Sequence, residues 1–276
     1  MMRTSTTTWT CRRSSVEVTG PEGVHHLPLT AYVDAWFTGA VLRDGRDGNL
    51  AHHVPHSPDR LAAARAEVAA ATATDVRDWQ LMRQAHGADV AVIDADVAPG
   101  TEIRDVDVMV TREVDRPLVV LAADCLPIVA AGRSTIGVAH AGWRGLAAGV
   151  PDVLVSAFER LGERPADVRV AIGPAIGPCC YAVGDDVLDV FAASDPAAIT
   201  RTRSGATSID LRAIARDRLA VRGVGTVDDV GRGGSQRAEC TGCGDGWFSH
   251  RRDARSGRHA GLVVRRPSTS AEGQER

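Results

Sequence analysis

The stretch LAADCLPIVAAGRSTIGVAHAGWRG, Leu121–Gly145, decides how the chain is read. Two apolar runs, PLVVLAAD and TIGVAHAG, are nearly continuous rather than alternating, which predicts strands buried on both faces. Each stops at a reactive polar group: Asp124 and Cys125 after the first, His140 at the end of the second. A lone buried thiol is most often a small hydrophobe. A carboxylate against a buried strand is costly unless it is paired. Asp124 beside Cys125, with His140 at a second strand end, therefore predicts polar groups converging on one rim, where sites on α/β folds tend to form. Gly142 and Gly145 then allow close approach of backbone or substrate.

Outward from this stretch, the pattern is mixed strand and helix without regular alternation. AYVDAWF, WQLMRQ, VAVIDA, VRVAIGP, GTVDDV and HAGLVVRR read as strands. SPDRLAAARAEVAAATA reads as a helix capped by Ser57 with Pro58 in its first turn. GLAAGVPDVLVSAFERLG reads as a helix bent at Pro151, and GDDVLDVFAAS and IDLRAIARDRLAVRGV as amphipathic helices, the second capped by Asp210. Residues 1–28 read as a flexible N-terminal arm, 29–266 as one catalytic domain and 267–276 as a disordered tail. The chain has 276 residues, 44% hydrophobic, within range for one large α/β (α+β) domain. All 32 basic residues are arginine, and the net charge of -3 argues against a nucleic-acid or membrane surface. With no apolar span, no signal-peptide pattern and six scattered cysteines, the expectation is a cytoplasmic protein with reduced thiols.

RQAHGADV adds an imidazole, His86, on a glycine turn after a strand. His86, Cys125 and His140 form a His₂Cys set whose spacing is not that of a zinc finger. Its chemistry, three N/S ligands with a fourth position open, is that of catalytic zinc. CTGC, Cys240–Cys243, is a rival metal candidate that needs two further ligands, with His250 and His259 in reach; HHVPH, His52–His56, reads as solvent-facing. The thiols of GPAIGPCCY are either packing or pocket lining, and FSHRRD offers Arg251 and Arg252 either as a solvated surface pair or as an anion fork. Arg65, Gln84, Arg144 and Tyr181 complete the candidate substrate contacts.

RQAHGADV, AADCLPIV, VAHAGWRGL, AIGPAIGPCCYAVGDDV, SIDLRAIARDRL and FSHRRDARSGRHAGLVV, in this order, resemble the YfiH-like family, also called the laccase-domain or peptidoglycan-editing-factor family. The resemblance covers about residues 30–266. It implies a YfiH-like (cysteine-hydrolase-like) single domain with mixed β-sheets layered between helices. It also implies a Zn2+ site from His86, Cys125 and His140. The family is described as purine nucleoside phosphorylases that also deaminate adenosine and cleave methylthioadenosine, earlier as polyphenol oxidases, and in bacteria as editors of peptidoglycan precursors. The chain departs from the family pattern where TGAVLRDG replaces the usual TRxGG, leaving only Arg43 in a shifted loop. QAHG also stands in place of QVHG, and Ala64–Arg65 in place of the usual Asn-Arg pair.

The leading expectation is a zinc-dependent purine nucleoside phosphorylase with adenosine deaminase activity, acting on nucleoside and phosphate. Arg65, Arg144 and Arg251 are its anion contacts, and Asp124 is either a proton donor–acceptor or the partner that orients a histidine ligand. The alternative is an amidohydrolase acting on a UDP-muramoyl peptide, with a metal-free variant in which Cys125 is the nucleophile and His140 its base. Copper oxidation of phenols is disfavoured: nine histidines include no His-x-His pair to hold further coppers. A purely structural zinc is the non-enzymatic reading. Oligomeric state is not set by the sequence.

Overall fold

The computed structural model describes residues 23–230 and 240–268. The tail beyond 268, residues 1–22 and Cys11 lie outside them. Twelve strands build two sheets: β1 Val24–Thr30, β2 Val33–Thr38, β3 Gln80–Arg83, β4 Val90–Ile93, β5 Glu102–Arg104, β6 Val108–Thr111, β7 Leu118–Ala122, β8 Leu126–Ala131, β9 Ile136–Ala141, β10 Arg169–Ile172, β11 Thr226–Asp229 and β12 His259–Arg265. The first sheet runs β1-β2-β12-β7-β3-β5 and the second β11-β10-β8-β9-β6-β4, both with mixed parallel and antiparallel pairs. Five α-helices accompany them: α1 Pro58–Ala71, α2 Trp143–Ala147, α3 Val150–Arg160, α4 Asp185–Phe191 and α5 Leu211–Val221.

Strand periodicity explains the layering. In β7, Leu118 and Val120 enter the core between the sheets, while Val119 and Leu121 face the cluster that includes Val68 and Trp79 beneath α1. In β9, Ile136 and Val138 face the intersheet core, and Ala139 and Ala141 face Leu154, Phe158 and Ile214 of α3 and α5. The two apolar runs are continuous because each strand has a helix layer on one side and the other sheet on the other. Burial of each Val or Leu side chain contributes roughly 1.5–3 kcal/mol. The same parity puts His140, at the end of β9, on the side of Ile136 and Val138, facing the crevice between the sheets.

Three local expectations change. Residues 24–28, read as part of the arm, lie in β1: Val24 and Leu27 are buried, and the strand pairs with β2 from Val24↔Thr38 onward. Two histidines and a proline within it hide its alternation. The helix expected to bend at Pro151 is two helices, because Gly149 adopts φ 85, a left-handed conformation that ends α2, and Pro151 sits in the first turn of α3. Ser57 occupies the N-cap of α1 without a side-chain capping bond, whereas Asp210 does cap α5, accepting from the backbone N–H of Ala213 at 3.0 Å.

The β8–β9 hairpin at the centre of the quoted stretch is held by a residue outside it. The buried Glu163 carboxylate accepts from the backbone N–H of Arg133 (2.8 Å), that of Ser134 (2.8 Å) and the Ser134 hydroxyl (2.9 Å). Burial pushes this carboxyl up, but the bonds from Ser134 and Arg133 outweigh it and hold it below its ordinary 4.5. A carboxyl depressed on folding contributes stability above its unfolded value, and that contribution is lost as pH falls through the folded one. Glu163→Gln is expected to lower unfolding free energy at neutral pH by about 1–3 kcal/mol. In urea titrations the gap from wild type should narrow in acid; a gap that is constant with pH would show that the charge is not what holds the turn.

Candidate active site

Two loops and the end of β9 deliver His86, Cys125 and His140 to one point. Cys125 lies just before the β8–β9 ladder, whose first pair is Leu126↔Ala141, and the next step of that register sets it opposite Gly142, two residues beyond His140. Gly142 faces it: a Cβ built there would lie 2.8 Å from the Cys125 sulfur, so no side chain fits. His86 comes from the turn after β3 and meets His140 edge-on, with ring centroids 4.8 Å apart at 88°. One ligand atom from each of the three lies within 4.8 Å of the others.

The organiser of this set is Asp107, which the sequence reading did not single out. Its residue is fully buried, and its carboxylate meets the Nδ1 of His140 at 2.8 Å. It also accepts from three consecutive backbone N–H groups, those of Ala85 (3.1 Å), His86 (3.1 Å) and Gly87 (2.7 Å). Three successive amides aimed at one anion form a nest, which requires a left-handed residue, and His86 has φ 60. One carboxylate thus shapes the turn that carries the first histidine and aims the ring of the second. With Nδ1 engaged, the Nε2 of His140 is the ring nitrogen free for an ion, the usual second contact of a metal-ligating histidine.

Electrostatics agree between the two partners. Burial pushes the Cys125 thiol up, but the His140 imidazole and hydrogen bonds from His140 and His86 bring it down to about 6. Burial pushes His140 down, but Cys125 and Asp107 raise it to about 9. For Asp107, burial raises the carboxyl and His140 lowers it further, leaving it below its ordinary value. The sulfur is thus disposed toward thiolate, the form that binds metal.

Asp124 is not the partner of His140, whose ring Asp107 holds. The Asp124 oxygens instead accept from the Thr241 hydroxyl and the backbone N–H of Arg251 (2.6 Å), and its own carbonyl accepts from the N–H of Ile176 (2.9 Å). It adopts φ 86, a strained conformation for a non-glycine residue that these bonds maintain.

The three candidate ligands lie in a cleft of ≈ 680 Å³, the size of a small-molecule site. Arg83, Arg144, Arg251 and Arg258 line it against two carboxylates, Glu102 and Asp124. Tyr181 and Trp143 supply aromatic walls, with the Arg251 guanidinium 4.9 Å from the Tyr181 ring and that of Arg144 4.4 Å from the Trp143 ring. Gln84 lines the cleft too, but its amide is tied at both ends to Leu121, donating to the carbonyl at 2.8 Å and accepting from the N–H at 3.0 Å. Arg65 is absent from the cleft lining and gives two bonds to the carbonyl of Leu50 (3.1 and 2.8 Å). Arg43, too, is absent from it. His52 and His53 are exposed, as expected, but stand on the cleft wall. Arg83 and Arg258 were not distinguishable in sequence from thirty other arginines.

Comparison with known proteins gives consistent results. Residues 38–266 match the family model described as multi-copper polyphenol oxidoreductase laccase. The chain is 43% identical over 191 residues to a purine nucleoside phosphorylase of Xylella fastidiosa, spanning 66% of this chain and 70% of that one. It is 36% identical to a purine nucleoside phosphorylase of Streptomyces coelicolor, spanning 84% of this chain and 93% of that one. Among solved structures, YlmD from Geobacillus stearothermophilus superposes with a TM-score of 0.79 at 31% identity over 89% of this chain and 97% of that one. YfiH from Bacillus licheniformis gives 0.78 at 27% identity over 88% and 97%. The expected mixed-sheet YfiH-like fold is therefore the observed one.

Replacing Asp107 by Asn keeps the shape but sets an amide against three backbone donors. Asp107→Asn is expected to weaken metal binding about 10–100-fold, the usual cost of losing such a contact. Competition against a chromophoric chelator measures it, and unchanged affinity in a folded variant would remove Asp107 from the site.

Proposed function

Because the chain belongs to the multi-copper polyphenol oxidoreductase laccase family, the laccase-domain or YfiH-like family, we propose that it is a zinc-dependent enzyme that cleaves purine nucleosides with phosphate and also deaminates adenosine. The observation that carries this reading is the placement of the His86, Cys125 and His140 ligand atoms in a cleft whose charge is dominated by arginine. The relatives' names supply the substrate class.

The donor set fits zinc. One thiolate and two imidazoles are its usual ligands, and three protein ligands leave a fourth position facing the cleft. When bound there, the ion supplies Lewis acidity. The rest falls to side chains. Asp107 fixes the tautomer and direction of His140 through Nδ1. Arg83, Arg144, Arg251 and Arg258 offer guanidinium forks to phosphate oxygens, which suit planar bidentate contact. Their number compensates for the missing arginine of the TRxGG pattern. Tyr181 and Trp143 give apolar faces against which a purine can stack. Asp124 serves as the brace of the cleft wall, with both oxygens already engaged.

A metal-free reading has one observation in its favour: Cys125 and His140 form a polarised thiol–imidazole pair. Incubation of zinc-loaded protein with adenosine and phosphate tests both. Release of adenine with ribose 1-phosphate, and of inosine by deamination, is expected. Turnover should be abolished by a chelator and restored by zinc. Turnover that survives full metal removal would favour the thiol nucleophile, and amino acid released from a UDP-muramoyl peptide, with adenosine untouched, would overturn the nucleoside reading.

Two substitutions separate the parts of the site. Cys125→Ser is expected to lower kcat for both reactions by about 100-fold or more, equivalent to about 2.7 kcal/mol of barrier. Arg258→Ala is expected to raise the KM for phosphate several-fold while sparing deamination, which uses no phosphate. Equal losses in both reactions would take Arg258 out of the phosphate contacts.

A further inference from the structure

CTGC was expected to find its partners, if any, in His250 and His259. It finds them elsewhere. The sulfurs of Cys179, Cys180, Cys240 and Cys243 all lie within 4.8 Å of one another. His259 is engaged otherwise, its Nε2 facing the Pro174 carbonyl at 3.3 Å. We propose that Cys179, Cys180, Cys240 and Cys243 bind one zinc ion as a closed four-thiolate site, distinct from the open site at Cys125.

The Cys179, Cys180 and Cys243 sulfurs have the spacing of one face of a tetrahedral site, and the Cys240 sulfur lies within 4.8 Å of all three. With Zn–S bonds of about 2.3 Å, the edges of a tetrahedral four-sulfur site are about 3.8 Å. The Cys179–Cys243, Cys180–Cys243 and Cys179–Cys180 sulfurs stand 3.4, 3.6 and 3.9 Å apart. The adjacent residues Cys179 and Cys180 therefore turn their sulfurs toward the same point. Within CTGC, the N–H of Cys243 bonds to the carbonyl of Cys240 at 3.0 Å, folding the tetrapeptide into the turn that brings its sulfurs together. Gly242 completes the turn where a Cβ would lie 2.8 Å from that of Cys180.

Two hydrogen-bond donors from outside the cluster reach its sulfurs. The backbone N–H of Gly177 donates to the Cys240 sulfur at 3.1 Å, and the Arg203 guanidinium to the Cys180 sulfur at 3.2 Å. Zinc with four thiolates carries a net charge of −2, and these donors offset part of it. On binding, four thiols release their four protons to solvent and no electrons move. Four protein ligands leave no open position, so the site is a structural clip.

What it clips matters for the cleft. Cys179 and Cys180 follow Ile176 and precede Tyr181; Cys240 and Cys243 precede His250 and Arg251; all four of these flanking residues line the cleft. Asp124 joins the same two segments from the cleft side, through the Ile176 N–H, the Thr241 hydroxyl and the Arg251 N–H. The ion would hold from behind the wall that Asp124 holds from in front.

Elemental analysis of the purified full chain tests this, with zinc counted per chain. Two zinc ions are expected in wild type, one in Cys125→Ala, and one in the Cys240→Ser/Cys243→Ser double variant. Cobalt-substituted Cys125→Ala should show the intense visible bands and sulfur-to-cobalt charge transfer of a tetrahedral four-thiolate site. That measurement stands even if the double variant fails to fold. One zinc in wild type that persists in Cys125→Ala and vanishes in the double variant would support this site and sink the catalytic one. A Cys125→Ala chain with no metal, a double variant with the wild-type zinc count, or an intact mass showing these cysteines oxidised to disulfides would overturn the proposal.

Discussion

A carboxylate with no access to water must have its lone pairs met by donors, and Asp107 has four: the ring of His140 and the amides of Ala85, His86 and Gly87. The geometry of the site follows from this constraint. The register of β6 against β9 pairs Val108 with Ala139, and so carries Asp107 alongside His140. Sheet pairing thereby fixes one histidine, and the same anion winds the loop that brings the other. Removing the charge would weaken the hold on three successive amides and on the ring of His140.

The two core strands were legible because their environment is uniform. β7 and β9 touch apolar layers on both faces, so their composition carries the signal without alternation. The candidate ligands were legible because strand ends that finish in a thiol or an imidazole are chemically odd. Asp107 was not, because in RDVDVMV it is one of two closely spaced acids, and its burial depends on a partner strand about thirty residues away. The four-cysteine cluster was half legible. CTGC announces a pair of ligands, but the second pair lies more than sixty residues earlier, and adjacent cysteines have no spacing signature of their own. Arg65 was chosen from its helix position, yet its guanidinium serves the backbone of Leu50. Which arginine faces a cleft is decided by tertiary packing that local pattern does not encode.

The cleft combines opposed demands. Its floor carries soft and borderline donors suited to an ion, and its walls carry four arginines. Cation and guanidinium would repel if crowded together. Here the imidazoles and thiolate lie at the strand ends, while Arg251 and Arg144 are drawn over the rings of Tyr181 and Trp143. The aromatic faces attract the guanidinium groups and help to fix their positions.

The brace formed by Asp124 has a mechanical corollary. One residue, in a strained conformation, ties the strand end bearing Cys125 to two loops from other parts of the chain. Those loops cannot swing apart without breaking bonds to a buried carboxylate. The side of the cleft that carries Ile176 and Arg251 is therefore a braced wall, and any motion that widens the opening has to come from the segments facing it.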